Sequence, residues 1–182
     1  MPAGWQSLDA FLRDAAAELE SLHAYASHPL QQSVRGGGQL PLNAPELGRS
    51  VVAALFESIS HAVQRHVAKR GATGFAISGA WSVRLRSGGY HTDHVHPEGW
   101  ISSACYISLP DAVTGGRDHA GWLRLGKPGV RTMPALGPDH WVKPEPGLLV
   151  LFPAYMWHGV EPFESSEARL TVAFDVVPGD LR

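Results

Sequence analysis

The sequence predicts a mainly β domain, a sandwich or barrel with two helices packed on one side. Three observations carry this. Apolar residues recur at helical spacing in two stretches before residue 70. After Gly71 the period shortens, and about seven β-rich segments bounded by Gly and Pro follow. Nowhere do strands and helices alternate as a parallel sheet requires. With 182 residues the chain suits one domain with one sizeable core. Its helical part should span about 7–70 and its β part about 75–177.

Taken in order, Ser7 can cap a first helix whose stripe is Leu8, Phe11, Leu12, Ala15, Leu19 and Leu22, ending near His23 before Pro29. From His28 to Pro45 there are three consecutive glycines, three prolines and no periodicity, which reads as a long loop. Its glycines and Arg35 suit a lid or substrate wall, the plainer reading being a connector between helices. A second helix is expected over Glu46 to Arg70, carried by Leu47, Val51, Leu55, Ile59, Val63 and Val67, with Gly71 placed to end it. The expected strands are Phe75–Ser78, Trp81–Arg86, Ile101–Leu109, Trp122–Leu125, Leu148–Phe152, Trp157–Val160 and Ala168–Val177. Gly126 to Pro146, rich in Gly and Pro, should be another long connection.

Composition narrows the function classes. Fifteen basic and 17 acidic residues leave a net charge of −2, which gives no bulk field for nucleic acid or an anionic membrane. At 44% hydrophobic and 18% charged the chain is not of the disordered type. Cys105 is the one cysteine, so an intramolecular disulfide and a Cys-x-x-Cys site are excluded. The longest apolar runs, Val51 to Phe56 and Leu148 to Phe152, are far short of the roughly 18 needed to span a bilayer. The opening MPAGWQSLDAF lacks the pattern of a secretory signal, so a cytoplasmic protein is expected.

The chemistry concentrates in the histidines, ten in all, three of them between His91 and His96. Alternate residues of a strand share a face, so His94 and His96 can aim at one metal ion while Val95 points away. A third ligand must come from elsewhere, and His158, just after the most apolar strand, is the candidate. His91-x-Asp93 is a rival pair at the same spacing and opposite parity. In one regular strand only one pair can face inward. His-x-Asp better matches a two-histidine, one-carboxylate site, whereas Pro97 holds His96 extended. Composition alone leaves both open.

The last strand divides into an apolar face of Leu170, Val172, Phe174 and Val176 and a small face carrying Arg169, Thr171 and Ala173. An inward arginine is costly unless an anion meets it, so Arg169 predicts a carboxylate ligand near the metal. Tyr106, on the small polar face of its own strand, could hydrogen-bond the same carboxylate. Arg35, Gln39, Trp100 and Arg84 (with Arg86) are candidate substrate contacts, although the strand arginines could equally face solvent.

The order Gly-Tyr-x-x-x-His-x-His-Pro (89–97), Tyr-Ile-Ser-Leu-Pro (106–110), Pro-Gly-Leu-Leu-Val-Leu-Phe-Pro-x-x-x-x-His-x-Val-x-Pro (146–162) and Arg-Leu-Thr-Val-Ala-Phe-Asp (169–175) resembles the Fe(II)/2-oxoglutarate-dependent dioxygenases. It is most similar to a bacterial and phage subgroup of prolyl-hydroxylase-like oxygenases, which Gln-Ser-Val-Arg-Gly-Gly-Gly-Gln (32–39) also resembles. The resemblance implies a double-stranded β-helix, a jelly roll with the metal at its open end. It implies Fe(II) held by His94, His96 and His158, 2-oxoglutarate held through a carboxylate by Arg169, and O2 as co-reactant. His96 stands where the family usually has Asp or Glu. Either three neutral histidines hold the iron, or His91 and Asp93 serve in a shifted register.

The expected function is therefore a dioxygenase that hydroxylates a small-molecule or peptidyl substrate and decarboxylates 2-oxoglutarate to succinate. Nucleic acid and membrane are not expected partners, and a homodimer is left open. A three-histidine zinc hydrolase is the rival enzyme class, but it gives no reason for Arg169. A cupin-like module binding a metal or small acid without turnover is the non-enzymatic alternative.

Overall fold

A computed structural model describes residues 2–23, 33–43, 48 and 50–179. Ser7 Oγ accepts the amide of Ala10 at 3.1 Å and starts α1 (Leu8–His23). The second helix, α2 (Val51–Ala68), is shorter than expected at its front, because Ser50 caps it by accepting the amide of Ala53. Glu18 of α1 accepts the Val51 amide at 2.8 Å, so the first helix also satisfies a donor at the start of the second.

The strands are β1 (Val34–Pro41), β2 (Phe75–His94), β3 (Ile101–Ser108), β4 (Leu123–Leu125), β5 (His140–Val142), β6 (Leu149–Pro153), β7 (His158–Val160) and β8 (Arg169–Pro178). A one-turn helix, α3 (Asp111–Thr114), follows β3. The strands form one antiparallel sheet in the order β5-β4-β7-β2-β8-β3-β6, with β1 added to β2. Curled on itself, this sheet is the expected jelly-roll barrel. The 20-residue β2 is its spine: residues 75–85 pair with β8 and the far end pairs with β7.

Three sequence expectations are corrected. The segment from His28 to Pro45 is not all loop, since β1 occupies its middle, while 28–32 and 44–45 lie outside the described residues. Its glycines serve strand pairing: Gly36, at φ +64°, makes a bulge, and a Cβ on Gly37 would run into the Arg84 carbonyl. Phe75–Ser78 and Trp81–Arg86 are one strand, joined through a bulge between Ile77 and Gly79. Within the connection from Gly126 to Pro146 lies β5, three residues paired to β4 and too short to show a period.

Both faces of the sheet are used. Leu170, Val172, Phe174 and Val176 pack with Ile101, Cys105 and Ile107 against α1 and α2. A second cluster inside the barrel includes Val83, Leu85, Val113, Leu123, Phe152 and Val160. Because residues alternate along β8, burying its apolar face under the helices turns Arg169, Thr171, Ala173 and Asp175 toward the cavity. The site described next is therefore a consequence of the helix packing. Among the described residues no helix is long and apolar enough to cross a membrane.

Candidate metal and cosubstrate centre

Three histidines meet at the open end of the barrel. In the ladder between β2 and β7 the Cα of His94 lies opposite that of His158. His96, two residues beyond, is held by its amide donating to the Ala154 carbonyl at 2.8 Å. One ring nitrogen from each lies within 4.8 Å of the other two. Each Nδ1 is already engaged: that of His94 donates to the Thr92 carbonyl at 2.8 Å, that of His158 to the Met156 carbonyl at 3.0 Å, and that of His96 to Asp175 Oδ2 at 2.6 Å. Oxygen acceptors fix the tautomer, so every Nε2 presents a lone pair.

Burial pushes the His158 pKa down to about 3, and it lowers His94 as well. Neutral imidazole is the metal-binding form. The metal-free protein should lose stability as pH falls below about 6.5, because unfolded His158 takes up a proton there and folded His158 does not until about 3. This one group accounts for up to about 1.4 kcal/mol per pH unit, and His91 and His94 act in the same sense. The thermal midpoint of metal-free protein, followed from pH 7 to pH 5, should fall. A flat profile would mean that the folded histidines are charged.

The rival pair separates. Asp93 turns away and pairs with Arg124 Nε at 2.6 Å, with Lys127 at 3.8 Å, and Arg124 also holds Glu161 at 2.8 Å. Those partners compensate its buried charge, so Asp93 is committed to an ion-pair network. His91 nevertheless faces the same cavity as the triad and stacks on His94 at 6.0 Å, with Nδ1 3.1 Å from Ser33 Oγ. The expectation that His91 and His94 face opposite ways fails at a register shift between them: one irregular residue re-aims the strand.

Deeper in the barrel Arg169, 2% exposed, directs Nε to the Gly121 carbonyl at 3.1 Å. Among the described residues no carboxylate lies within ion-pair distance of it. Its guanidinium sits 5.2 Å from the centre of the Tyr106 ring and interacts with the Tyr106 hydroxyl, which is buried without a hydrogen bond of good geometry among the described residues. Burial raises the Tyr106 pKa, so the hydroxyl stays a donor. A buried guanidinium with no carboxylate, beside a hydroxyl that lacks a well-aligned partner, is a costly arrangement. A ligand carboxylate would satisfy both.

One cavity of about 1070 Å³ joins Arg169 to the three histidines and is also lined by Arg35, Gln39, Trp81, Thr92 and Glu98. Arg35 and Gln39 reach it from β1, a wall built of strand. Three other candidates lie elsewhere. Arg84 points outward and pairs with Glu20 of α1 at 2.7 Å, because Val83 and Leu85 take the inner positions. Its neighbour Arg86 is exposed. Trp100 packs on the helix-side core. Asp175 was missed, although its place on the small inward face of β8 was the available signal.

The family described as "Putative 2OG-Fe(II) oxygenase" matches residues 79–175, more than half the chain, a stretch that includes the three histidines, Tyr106 and Arg169. The chain belongs to this family. It is accordingly an oxidoreductase of the dioxygenase type, and the cofactors are those of 2OG-Fe(II) oxygenases: Fe(II), 2-oxoglutarate and O2. No curated protein sequence matches it.

Solved structures show the same fold at low identity. A prolyl-4-hydroxylase of Pseudomonas putida superposes with a TM-score of 0.64 at 18% identity, covering 92% of this chain and 86% of that one. A Trichoplax adhaerens prolyl hydroxylase, solved with a hypoxia inducible factor peptide fragment, gives 0.60 at 14% identity, covering 92% and 78%. HygX of Streptomyces hygroscopicus, with nickel and 2-oxoglutarate bound, gives 0.59 at 11% identity, covering 99% and 82%.

Proposed function

We propose that this oxygenase hydroxylates a C–H bond of a small-molecule or peptidyl substrate while 2-oxoglutarate is decarboxylated to succinate. In the balance, one atom of O2 enters the hydroxyl group and the other enters succinate, with carbon dioxide released. His94, His96 and His158 would hold Fe(II) through Nε2, and the iron supplies the O2-activating chemistry.

The protein's own contribution is placement. Arg169 and the Tyr106 hydroxyl receive the distal carboxylate of 2-oxoglutarate at the bottom of the cavity, which orients the rest of the molecule toward the histidines. Val83, Leu123, Phe152 and Val160 line the same space and limit water. Arg35 and Gln39 line the same cavity from β1 and would be within reach of a substrate there. Two of the similar structures are prolyl hydroxylases, one holding a peptide, which makes a prolyl peptide the first substrate to try.

The observation that carries this reading is the buried, carboxylate-free Arg169 in the cavity the histidines share, with the Tyr106 ring and its buried hydroxyl packed beside it. A zinc hydrolase needs the histidines and has no use for that pair. The test is metal content together with aerobic 2-oxoglutarate consumption. Iron-dependent conversion to succinate supports the oxygenase; tight zinc with no consumption supports the hydrolase, and neither supports a binding module.

A further inference from the structure

Three neutral imidazoles would leave a divalent ion without a negative protein ligand. Among the described residues the carboxylate bound to the cluster is Asp175, 79 residues from His96 in sequence. Its Oδ2 accepts Nδ1–H of His96 at 2.6 Å, and its Oδ1 accepts the Ser102 hydroxyl at 2.6 Å. Asp175 is 8% exposed. Asp93, similarly buried, is compensated by Arg124, whereas Asp175 has no Lys or Arg partner among the described residues. A buried carboxylate with a histidine as its one ionisable partner lacks a cation. The metal, on the far side of the imidazole, would supply it.

We propose that Asp175 is a positioning residue of the metal centre. It fixes Nε2 of His96 as the ligand atom and passes negative charge to the metal through the ring, so that His96 and Asp175 together replace a directly bound carboxylate. The contrast with His94 and His158, whose Nδ1 atoms meet neutral backbone carbonyls, makes His96 the strongest donor of the three. Ser102, anchored on β3 beside β8, holds the carboxylate in line. The inference rests on the metal assignment made above.

The experiment is an anaerobic Fe(II) titration of the full chain against a chelating indicator, with thermal unfolding of each variant as a check of folding. Asp175→Asn keeps the size and an acceptor for Nδ1–H and removes the charge. Its Fe(II) affinity should fall about 10- to 100-fold, the range for loss of an outer partner of a ligand histidine. With 2-oxoglutarate added, the iron-to-2-oxoglutarate charge-transfer band should move to higher energy, since the iron receives less electron density. A residue that only supports the fold would leave the band in place.

The background His96→Asp supplies the second reading. There a carboxylate meets the metal directly and no imidazole links Asp175 to it, so adding Asp175→Asn should cost far less Fe(II) affinity than it does in the parent. Equal affinity of the parent and Asp175→Asn, or the same fall in both backgrounds, overturns the proposal. If the parent binds no Fe(II), or binds it as His158→Ala does, the metal assignment itself fails. That outcome is separate from a tight parent site indifferent to Asp175.

Discussion

Replacing His158 by alanine is expected to abolish stoichiometric iron binding and turnover while the circular dichroism stays that of the parent. His158 would supply one of three ligand atoms, so the loss should exceed the roughly 10- to 100-fold typical of outer-sphere changes. The fold should survive because the ring stands in the cavity, edge-on to Phe152 at 4.8 Å, while its β7 backbone pairs with β2 and β4. Iron content and circular dichroism on the same sample decide the matter. Full iron retention would remove His158 from the centre.

The second large effect is expected at Arg169. If its guanidinium receives the distal carboxylate of 2-oxoglutarate, Arg169→Ala breaks a buried charge-assisted pair, a loss of about 3–5 kcal/mol. That corresponds to between about 100-fold and a few thousand-fold weaker 2-oxoglutarate binding. Iron should bind as before, since no ligand has been touched. Arg169→Lys should fall between, keeping the charge and losing the planar fork. Titrating 2-oxoglutarate against the iron charge-transfer absorbance without oxygen reads both properties. Unchanged 2-oxoglutarate affinity in the alanine variant would sink the cosubstrate assignment and bring the zinc hydrolase forward.

The two residues were legible to different degrees. Arg169 stands out in sequence because β8 is long and regular: strict alternation separates four apolar residues from a small face, and an arginine on the small face has to be accounted for. His158 was legible as a histidine following an apolar strand, and what it meets depends on β7 lying beside β2. Arg84 shows the opposite case. It lies on a regular stretch of β2, but the pattern could not say which face α1 would cover, and Glu20 of that helix takes it.

Local periodicity was enough to specify two amphipathic helices, a mainly β architecture, the buried face of β8 and the cluster of histidines. Those features depend on neighbours a few residues apart, where backbone geometry fixes which side chains share a face. The tertiary structure alone decided the rest. A register shift between His91 and His94 turned both into one cavity, against simple parity. Arg124 drew Asp93 out of contention, β2 gave an apparently shapeless glycine segment a strand to pair with, and packing brought Asp175 to His96 across 79 residues. Each is a contact between segments distant in the chain, settled by bulges and by which charges find partners, and the strand period carries no information about either.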